Sequence, residues 1–211
     1  MRPTFSQIIE TCQALNSDLH DVIFIGGVAV YLHSVLKNNE LVAPEASHDA
    51  DFMISFSDYG ILKDHEEITS TPRLSKHQML LNHVEFDIYV EKINKLLVPY
   101  DEVAAHAITI EGLNLACLEH LLVLKLEAYN DRKHSSKGEK DRRDVAKIGL
   151  LLGSKAKENL IAPYIYDALV RELKDIAQSP VFYELCQKNA HLAKKAKAAF
   201  ARVAKKIAEM V

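Results

Sequence analysis

Residues 22–51, VIFIGGVAVYLHSVLKNNELVAPEASHDAD, constrain this chain more than any other stretch. They open on an apolar run, Val22 to Ile25, of the length of a short buried strand. Gly26 and Gly27 follow, and then VAVYLHSVL, with apolar residues at helical spacing. A strand, a glycine turn and a helix let a helix N-terminus face a phosphate. Glycine suits the turn because a Cβ there would block close approach of a ligand to the backbone. The stretch closes on Asp49-Ala50-Asp51, which leads into FMISF. Side chains alternate along a strand, so Asp49 and Asp51 share one face. Two carboxylates on one face, beside a phosphate-ready turn, point to a metal–nucleotide site.

The rest of the N-terminal half reads as a mixture of helices and strands. Thr4-Phe5-Ser6-Gln7 has the form of a capping box and opens a helix to about Asn16. Residues 40–47 form a loop containing Pro44, and residues 57–78 are polar and irregular, with a short helix around Tyr59–Asp64. VEFDIYV, residues 84–90, alternates like a strand. A loop with Pro99 leads to a short strand, AITIE, and a turn at Gly112. From Leu115 onward the pattern is helical. It includes ACLEHLLVLKLEAYNDR, a polar linker KHSSKGEK, and DRRDVAKIGLLL ended by Gly153. Ser179-Pro180 reads as an N-cap with proline at the first helical position, and the tail AHLAKKAKAAFARVAKKIAEM as a basic, alanine-rich helix.

Asp87 lies in the middle of VEFDIYV. If that strand lies beside the strand of the Asp pair, Asp87 meets Asp49 and Asp51. Three carboxylates in a small volume repel one another, and their pKa values rise unless a cation joins them. Mg²⁺ prefers one or two carboxylates together with substrate phosphate oxygens. Two such ions would clamp the attacking and leaving oxygens of an in-line displacement.

The order strand, Gly26-Gly27, helix, Asp49-Ala50-Asp51, strand with Asp87 resembles the nucleotidyltransferase superfamily of the polymerase-β type. Within it the chain is most similar to the AbiEii-like and MenT-like enzymes of toxin–antitoxin and phage-defence systems. That group carries Lys-x-x-Ala-x-x-x-Arg on a helix after the core, followed by an acidic motif written Lys-Asp-x-x-Asp. Here these are Lys125 to Arg132, with Ala128 between them, and Lys140-Asp141-Arg142-Arg143-Asp144. The likeness covers roughly residues 20–150. Two positions depart from it. Val28 stands where Ser or Thr often follows the glycine pair, and Glu45 stands at an Arg position, with Ser47 then matching Ser/Thr.

The resemblance implies an α/β (α+β) fold, with a mixed-sheet nucleotidyltransferase core over residues 1–112, a C-terminal helical bundle over residues 113–211, and a cleft between them. It implies Mg²⁺ or Mn²⁺ on Asp49, Asp51 and Asp87, with Asp87 helping to activate the acceptor hydroxyl. Gly26, Gly27, Ser47, Lys125, Arg132, Asp141 and Asp144 would serve the nucleotide. Lys125, Ala128 and Arg132 fall on one helical face. Lys125 would neutralise the triphosphate as pyrophosphate leaves, and Arg132 would support phosphate or the carboxylates of Asp141 and Asp144. Those two residues equally suit the first turn of a helix. The implied reaction moves a nucleoside monophosphate from an NTP to an acceptor hydroxyl. A tRNA acceptor and a toxin role beside a cognate antitoxin are implied too. The alternatives are a small-molecule acceptor and a catalytically silent nucleotide- or RNA-binding module of the same fold.

Charge adds to this reading. Residues 1–112 hold 17 Asp and Glu against 7 Lys and Arg, whereas residues 113–211 hold 12 against 19. An acidic half suits cations, and a basic half suits a polyanion such as RNA. In the tail, Lys188, Lys194, Lys195, Lys197, Arg202, Lys205 and Lys206 stand against Glu209 alone. They suit an RNA backbone or a solvated helix face. No apolar run reaches the length of a membrane span, and the N-terminus has no apolar signal core, so a cytoplasmic protein is expected. Cys12, Cys117 and Cys186 fit neither a disulfide framework nor a zinc pattern and read as buried thiols.

Overall fold

The computed structural model describes residues 3–71 and 76–211. It divides into two compact units: residues 1–32 with 45–117, and residues 33–44 with 118–211.

The first unit is built on a mixed sheet. Its strands are β1 (Val22–Phe24), β2 (Asp49–Ile54), β3 (Ile68–Thr71), β4 (Lys76–Leu81), β5 (Val84–Val90), β6 (Ile108–Ile110) and β7 (Leu113–Leu115). Among the described residues they run in the order β3-β4-β5-β2-β1-β7-β6. β2 is antiparallel to β1 and parallel to β5, and β7 is parallel to β1. The period-2 pattern of VEFDIYV sets the two faces. Val84, Phe86, Ile88 and Val90 are buried, whereas Glu85, Asp87 and Tyr89 are not. On the buried face Phe24, Phe52 and Phe86 meet edge-on in a row across β1, β2 and β5, with ring centroids 5.9 and 5.8 Å apart. Such contacts add roughly 1 kcal/mol each beyond simple burial.

Helix α1 (Phe5–Asp18) starts at the expected capping box. The Thr4 hydroxyl accepts from the Gln7 amide, and the Gln7 side chain accepts from the Thr4 amide at 2.8 Å. Cys12 lies on its buried side, and burial pushes the thiol up to about 12. All three cysteines are buried free thiols. Helix α2 (Gly27–Lys37) follows β1 directly.

The stretch 57–78, expected to be irregular, holds a longer helix, α3 (Phe56–His65), and then β3 and β4. Residues 72–75 of that stretch lie outside the described residues. β4 and β5 are joined by Asn82-His83, both at positive φ (50° and 67°). That is the backbone of a two-residue hairpin turn. The loop expected around Pro99 becomes α4 (Tyr100–Ala105). Pro99 stands at its N-cap, and Asp101 and Glu102 in its first turn suit the helix dipole.

The second unit is helical, as its sequence implied. It contains α5 (Leu118–Arg132), α6 (Ser136–Leu152), α7 (Asp167–Gln178), α8 (Val181–Leu185) and α9 (Ala190–Ala208). The polar linker expected at 133–140 is mostly helix, because the Ser135 hydroxyl caps α6 by accepting from the Gly138 amide. Ser179 closes α7, its hydroxyl donating to the Ile176 carbonyl at 2.8 Å, and the same oxygen accepts from the Val181 amide at the start of α8 at 3.4 Å. Pro180 is the cap residue of α8 and not its first helical residue. The alanine-rich tail buries Ala193, Ala196, Phe200, Val203, Ala204 and Ile207, one stripe along α9. Phe200 packs so closely on α6 that a Cβ at Gly149 would lie 2.5 Å from its ring. No described helix is long and apolar enough to cross a membrane.

Candidate active site

The expected carboxylate row forms in the first unit. In the parallel β2–β5 pair, Asp51 stands opposite Asp87 and Asp49 opposite Glu85. Partners in register point to the same face, so Asp49, Asp51 and Asp87 lie on the side of the sheet opposite the phenylalanine row. All three are partly exposed, in a sheet whose other face is dry. Glu85, at the end of the row, is exposed.

Each carboxylate has its own support. The Ser47 hydroxyl donates to Asp49 Oδ1 at 2.8 Å. Ser47 is 4% exposed, so it orients Asp49 from beneath. Asp51 is held by its backbone, whose carbonyl accepts from the Ile25 amide at 2.9 Å. Its side chain leans over the glycine turn. A Cβ on Gly26 would fall 1.7 Å from Asp51 Oδ2 and 2.5 Å from its Cγ. Glycine at position 26 is therefore required by the Asp51 carboxylate itself. Gly27 is the first residue of α2, and the Val30 amide closes its first turn on the Gly26 carbonyl at 3.2 Å. Val28 is fully buried, so that position adds core packing.

Asp87 carries partners that the sequence did not announce. Lys76 of β4 forms an ion pair with Asp87 Oδ2, and the Gln78 side-chain amide donates to Asp87 Oδ1 at 2.9 Å. Lys76 is 9% exposed. Both lie on β4, in the stretch expected to be irregular. The one local signal is the apolar end of KHQMLL, Met79 to Leu81, running into the Asn82-His83 turn.

Two half-exposed carboxylates, Asp49 and Asp51, one of them oriented by a buried hydroxyl, fit a hard divalent cation such as Mg²⁺ or Mn²⁺. Asp87 is already charge-balanced. Among the described residues no group of three or more Asp, Glu, His or Cys side chains is gathered closely enough to hold a metal.

The other motif residues form a network of their own in the second unit. Arg132 grips Asp141 through two parallel bonds, Nε to Oδ2 at 2.6 Å and Nη2 to Oδ1 at 3.0 Å. Lys125 Nζ lies 2.9 Å from Asp144 Oδ2 and 3.9 Å from Asp141 Oδ1. The i, i+7 spacing of Lys125 and Arg132 on α5 brings both cations to the same carboxylate on α6. Asp141 and Asp144 sit in the second and third turns of α6, not the first, so the helix-dipole explanation does not hold for them. Their side chains are 2% and 8% exposed, and buried charges at that depth need the partners they have.

The basic tail is also engaged locally. Lys195 pairs with Glu40, and Lys206 lies 3.3 Å from Glu158. Lys197 donates to the Gln178 carbonyl, and Lys205 lies 3.8 Å from Glu209.

This mixed sheet with its helices is a nucleotidyltransferase-like fold. Over 98% of its length the chain superposes on 96% of a Helicobacter pylori protein named "putative nucleotidyltransferase", with a TM-score of 0.54 and 17% identity. It also superposes on JHP933 from Helicobacter pylori, with a TM-score of 0.50 and 16% identity, over 97% of this chain and 90% of that one. No family model matches the sequence, and no curated protein matches it.

Proposed function

We propose that the protein is a nucleotidyltransferase that moves a nucleoside monophosphate from an NTP to an acceptor hydroxyl and releases pyrophosphate. The observation that carries this reading is the register of β2 and β5. It sets Asp51 opposite Asp87, with Asp49 on the same face and Gly26 giving way to the Asp51 carboxylate. Asp49 and Asp51 would hold Mg²⁺ or Mn²⁺, which when bound neutralises phosphate oxygens and polarises the phosphorus under attack. The N-terminal amides of α2 would receive phosphate. Asp87 would accept the proton of the attacking hydroxyl, its carboxylate held in place by Gln78. The acceptor oxygen then bonds to the α-phosphorus, and the bond to the pyrophosphate oxygen breaks.

The resemblance to AbiEii-like and MenT-like enzymes supports a tRNA acceptor and a toxin held in check by an antitoxin. The local pairing of Lys195, Lys197, Lys205 and Lys206 favours a second reading, a small-molecule acceptor, because those lysines already have partners. The test is label transfer. The purified protein is incubated with Mg²⁺, total RNA or a panel of hydroxyl-bearing small molecules, and each α-labelled NTP in turn. Label in a tRNA-sized band, lost in Asp49→Ala/Asp51→Ala, is the expected result. Label on small molecules alone would select the second reading. No transfer with any NTP, in protein that still binds nucleotide, would leave a silent binding module.

A further inference from the structure

We propose that the cavity roofed by the segment after β5 is the acceptor site, and that it receives the base of a nucleoside whose ribose hydroxyl then meets Asp87. The inference rests on the nucleotidyltransferase reading above and adds the chemical class of the acceptor.

The cavity lies within the first unit, on the carboxylate face of the sheet. Asp51 and Asp87 stand opposite each other, and so do Met53 and Tyr89, the next residues on that face. Met53 and Tyr89 line a cavity of about 370 Å³ together with residues of the 90–101 segment, among them Leu96, Val98 and Tyr100. It therefore begins about 7 Å along the strands from the Asp51–Asp87 pair. The glycine turn lies toward the other end of β2. β1 and β2 are antiparallel, so Gly26 follows β1 beside Asp51, where a Cβ would strike that carboxylate. In an in-line displacement the attacking and leaving oxygens stand on opposite sides of the phosphorus. With pyrophosphate at the N-terminus of α2, the acceptor approaches from the cavity side.

The walls are preformed. The Asn94 side chain accepts from the Val90 amide at 2.6 Å, and the Glu91 amide donates to the Ile54 carbonyl at 2.9 Å, which ties the segment to the ends of both strands. The Tyr100 hydroxyl donates to the Asp21 carbonyl at 3.0 Å, so its ring is a fixed wall. Glu91 has both carboxylate oxygens engaged, one by Lys92 and the other by the Phe56 amide, and so offers a cationic acceptor little. Asp101, the other carboxylate on the lining, lies in the first turn of α4, where the helix dipole suits it. Two tyrosine rings among aliphatic side chains suit the flat face of a base. Lys95, exposed and also on the lining, suits a phosphate. The volume is near the small end for ligand sites, with room for one nucleoside unit and not for a polymer. The ribose spans the gap to the row. Its hydroxyl gives its proton to Asp87 while its oxygen bonds to the α-phosphorus and pyrophosphate leaves.

The experiment is photolabelling of the full chain with 2-azidoadenosine, followed by mass spectrometry of the labelled peptides. Adenosine serves as the probe because stacking accepts any base. Mg²⁺ and the α,β-methylene analogues of ATP, GTP, CTP and UTP are first screened by thermal shift, and an analogue that stabilises the protein is kept at saturation. Label should fall on Met53 or within residues 89–101, and the analogue should not displace it. Tyr89→Ala should raise the half-saturating probe concentration by about 10-fold or more, whereas Tyr89→Phe, which keeps the ring, should change it by less than about 3-fold. Each variant is checked by circular dichroism for a wild-type melting temperature. Should Tyr89→Ala fail to fold, the position of the label in wild type decides alone. Protection by an oligoribonucleotide with a free 3′ hydroxyl would assign the nucleoside to an RNA end, and protection by adenosine alone to a free nucleoside. Both support the cavity as the acceptor site. Label elsewhere, label displaced by the analogue, or no label in protein that the analogue stabilises would overturn the inference and leave the nucleotidyltransferase reading standing. Stabilisation by none of the analogues would count against that reading, and the inference would fall with it.

Discussion

The two units use the same kinds of residue in opposite ways. In the first, three aspartates stand on the wetter face of a sheet, each steadied by one or two local contacts. In the second, Asp141 and Asp144 are almost wholly buried, and Lys125 and Arg132 neutralise them from the neighbouring helix. The first set came from the glycine-turn and Asp-x-Asp pattern with its later-strand carboxylate, and the second from the helical Lys-x-x-Ala-x-x-x-Arg and Lys-Asp-x-x-Asp pattern. Exposure separates them: the first set is partly open to solvent, and the second is buried and holds α5 to α6. A carboxylate that a ligand can reach contributes little to stability. A carboxylate that the fold has already paired contributes much and has less left to offer a ligand.

The sharpest way to break this comparison is Asp141→Ala. It removes the two parallel bonds that the Arg132 guanidinium makes to Asp141 and the Lys125 contact with the same carboxylate. Urea unfolding should show a loss of about 3 kcal/mol, in the range for breaking a buried pair. A loss below about 0.5 kcal/mol would make Asp141 no more structural than the sheet aspartates.

Gly26→Ala tests the other side. Its new methyl group would collide with the Asp51 carboxylate, and overpacking of this kind costs about 1–3 kcal/mol. Adding Asp51→Ala to the same chain should restore most of that stability while Mn²⁺ binding stays lost. If the double variant is no more stable than Gly26→Ala, the glycine is required for some other reason.

Arg132→Lys gives the smallest effect. It keeps the charge and loses the parallel pair of bonds. Because the Arg132 side chain is 43% exposed, the loss should be about 1 kcal/mol in urea unfolding.

Much of the first unit was legible because its signals are local. The capping box at Thr4, the apolar run before Gly26, and the alternation of VEFDIYV each lie within a few residues, and each forms as read. The pairing of Asp51 with Asp87 was legible only conditionally, since no short pattern fixes which strands become neighbours. β3 and β4 were missed because β4 turns Lys76 and Gln78 toward the wetter face, and polar residues there mask a strand. The turn at Asn82-His83 lacks the glycine that marks most such hairpins. β7 was missed because three residues, Leu113–Leu115, are too few to show a period. Lys125, Arg132, Asp141 and Asp144 were legible as a group. Their mutual pairing was open because a sequence does not say which cation on α5 meets which anion on α6.

The parallel register of β2 and β5 has a consequence for how such a site can change. Hydrogen-bonded strands sit about 4.8 Å apart, and side chains on one face repeat every two residues, so the sheet offers positions on a coarse grid. Sliding β5 by one residue would turn Asp87 to the face now lined by Phe86 and Ile88, and sliding it by two would set a different residue opposite Asp51. The spacing of the Asp51 and Asp87 backbones therefore cannot drift gradually. Small adjustments are confined to side-chain length, such as aspartate to glutamate, and to the residues around the row. Diversification on this scaffold would then rewrite the loops and edge strands while the two central carboxylate positions stay pinned.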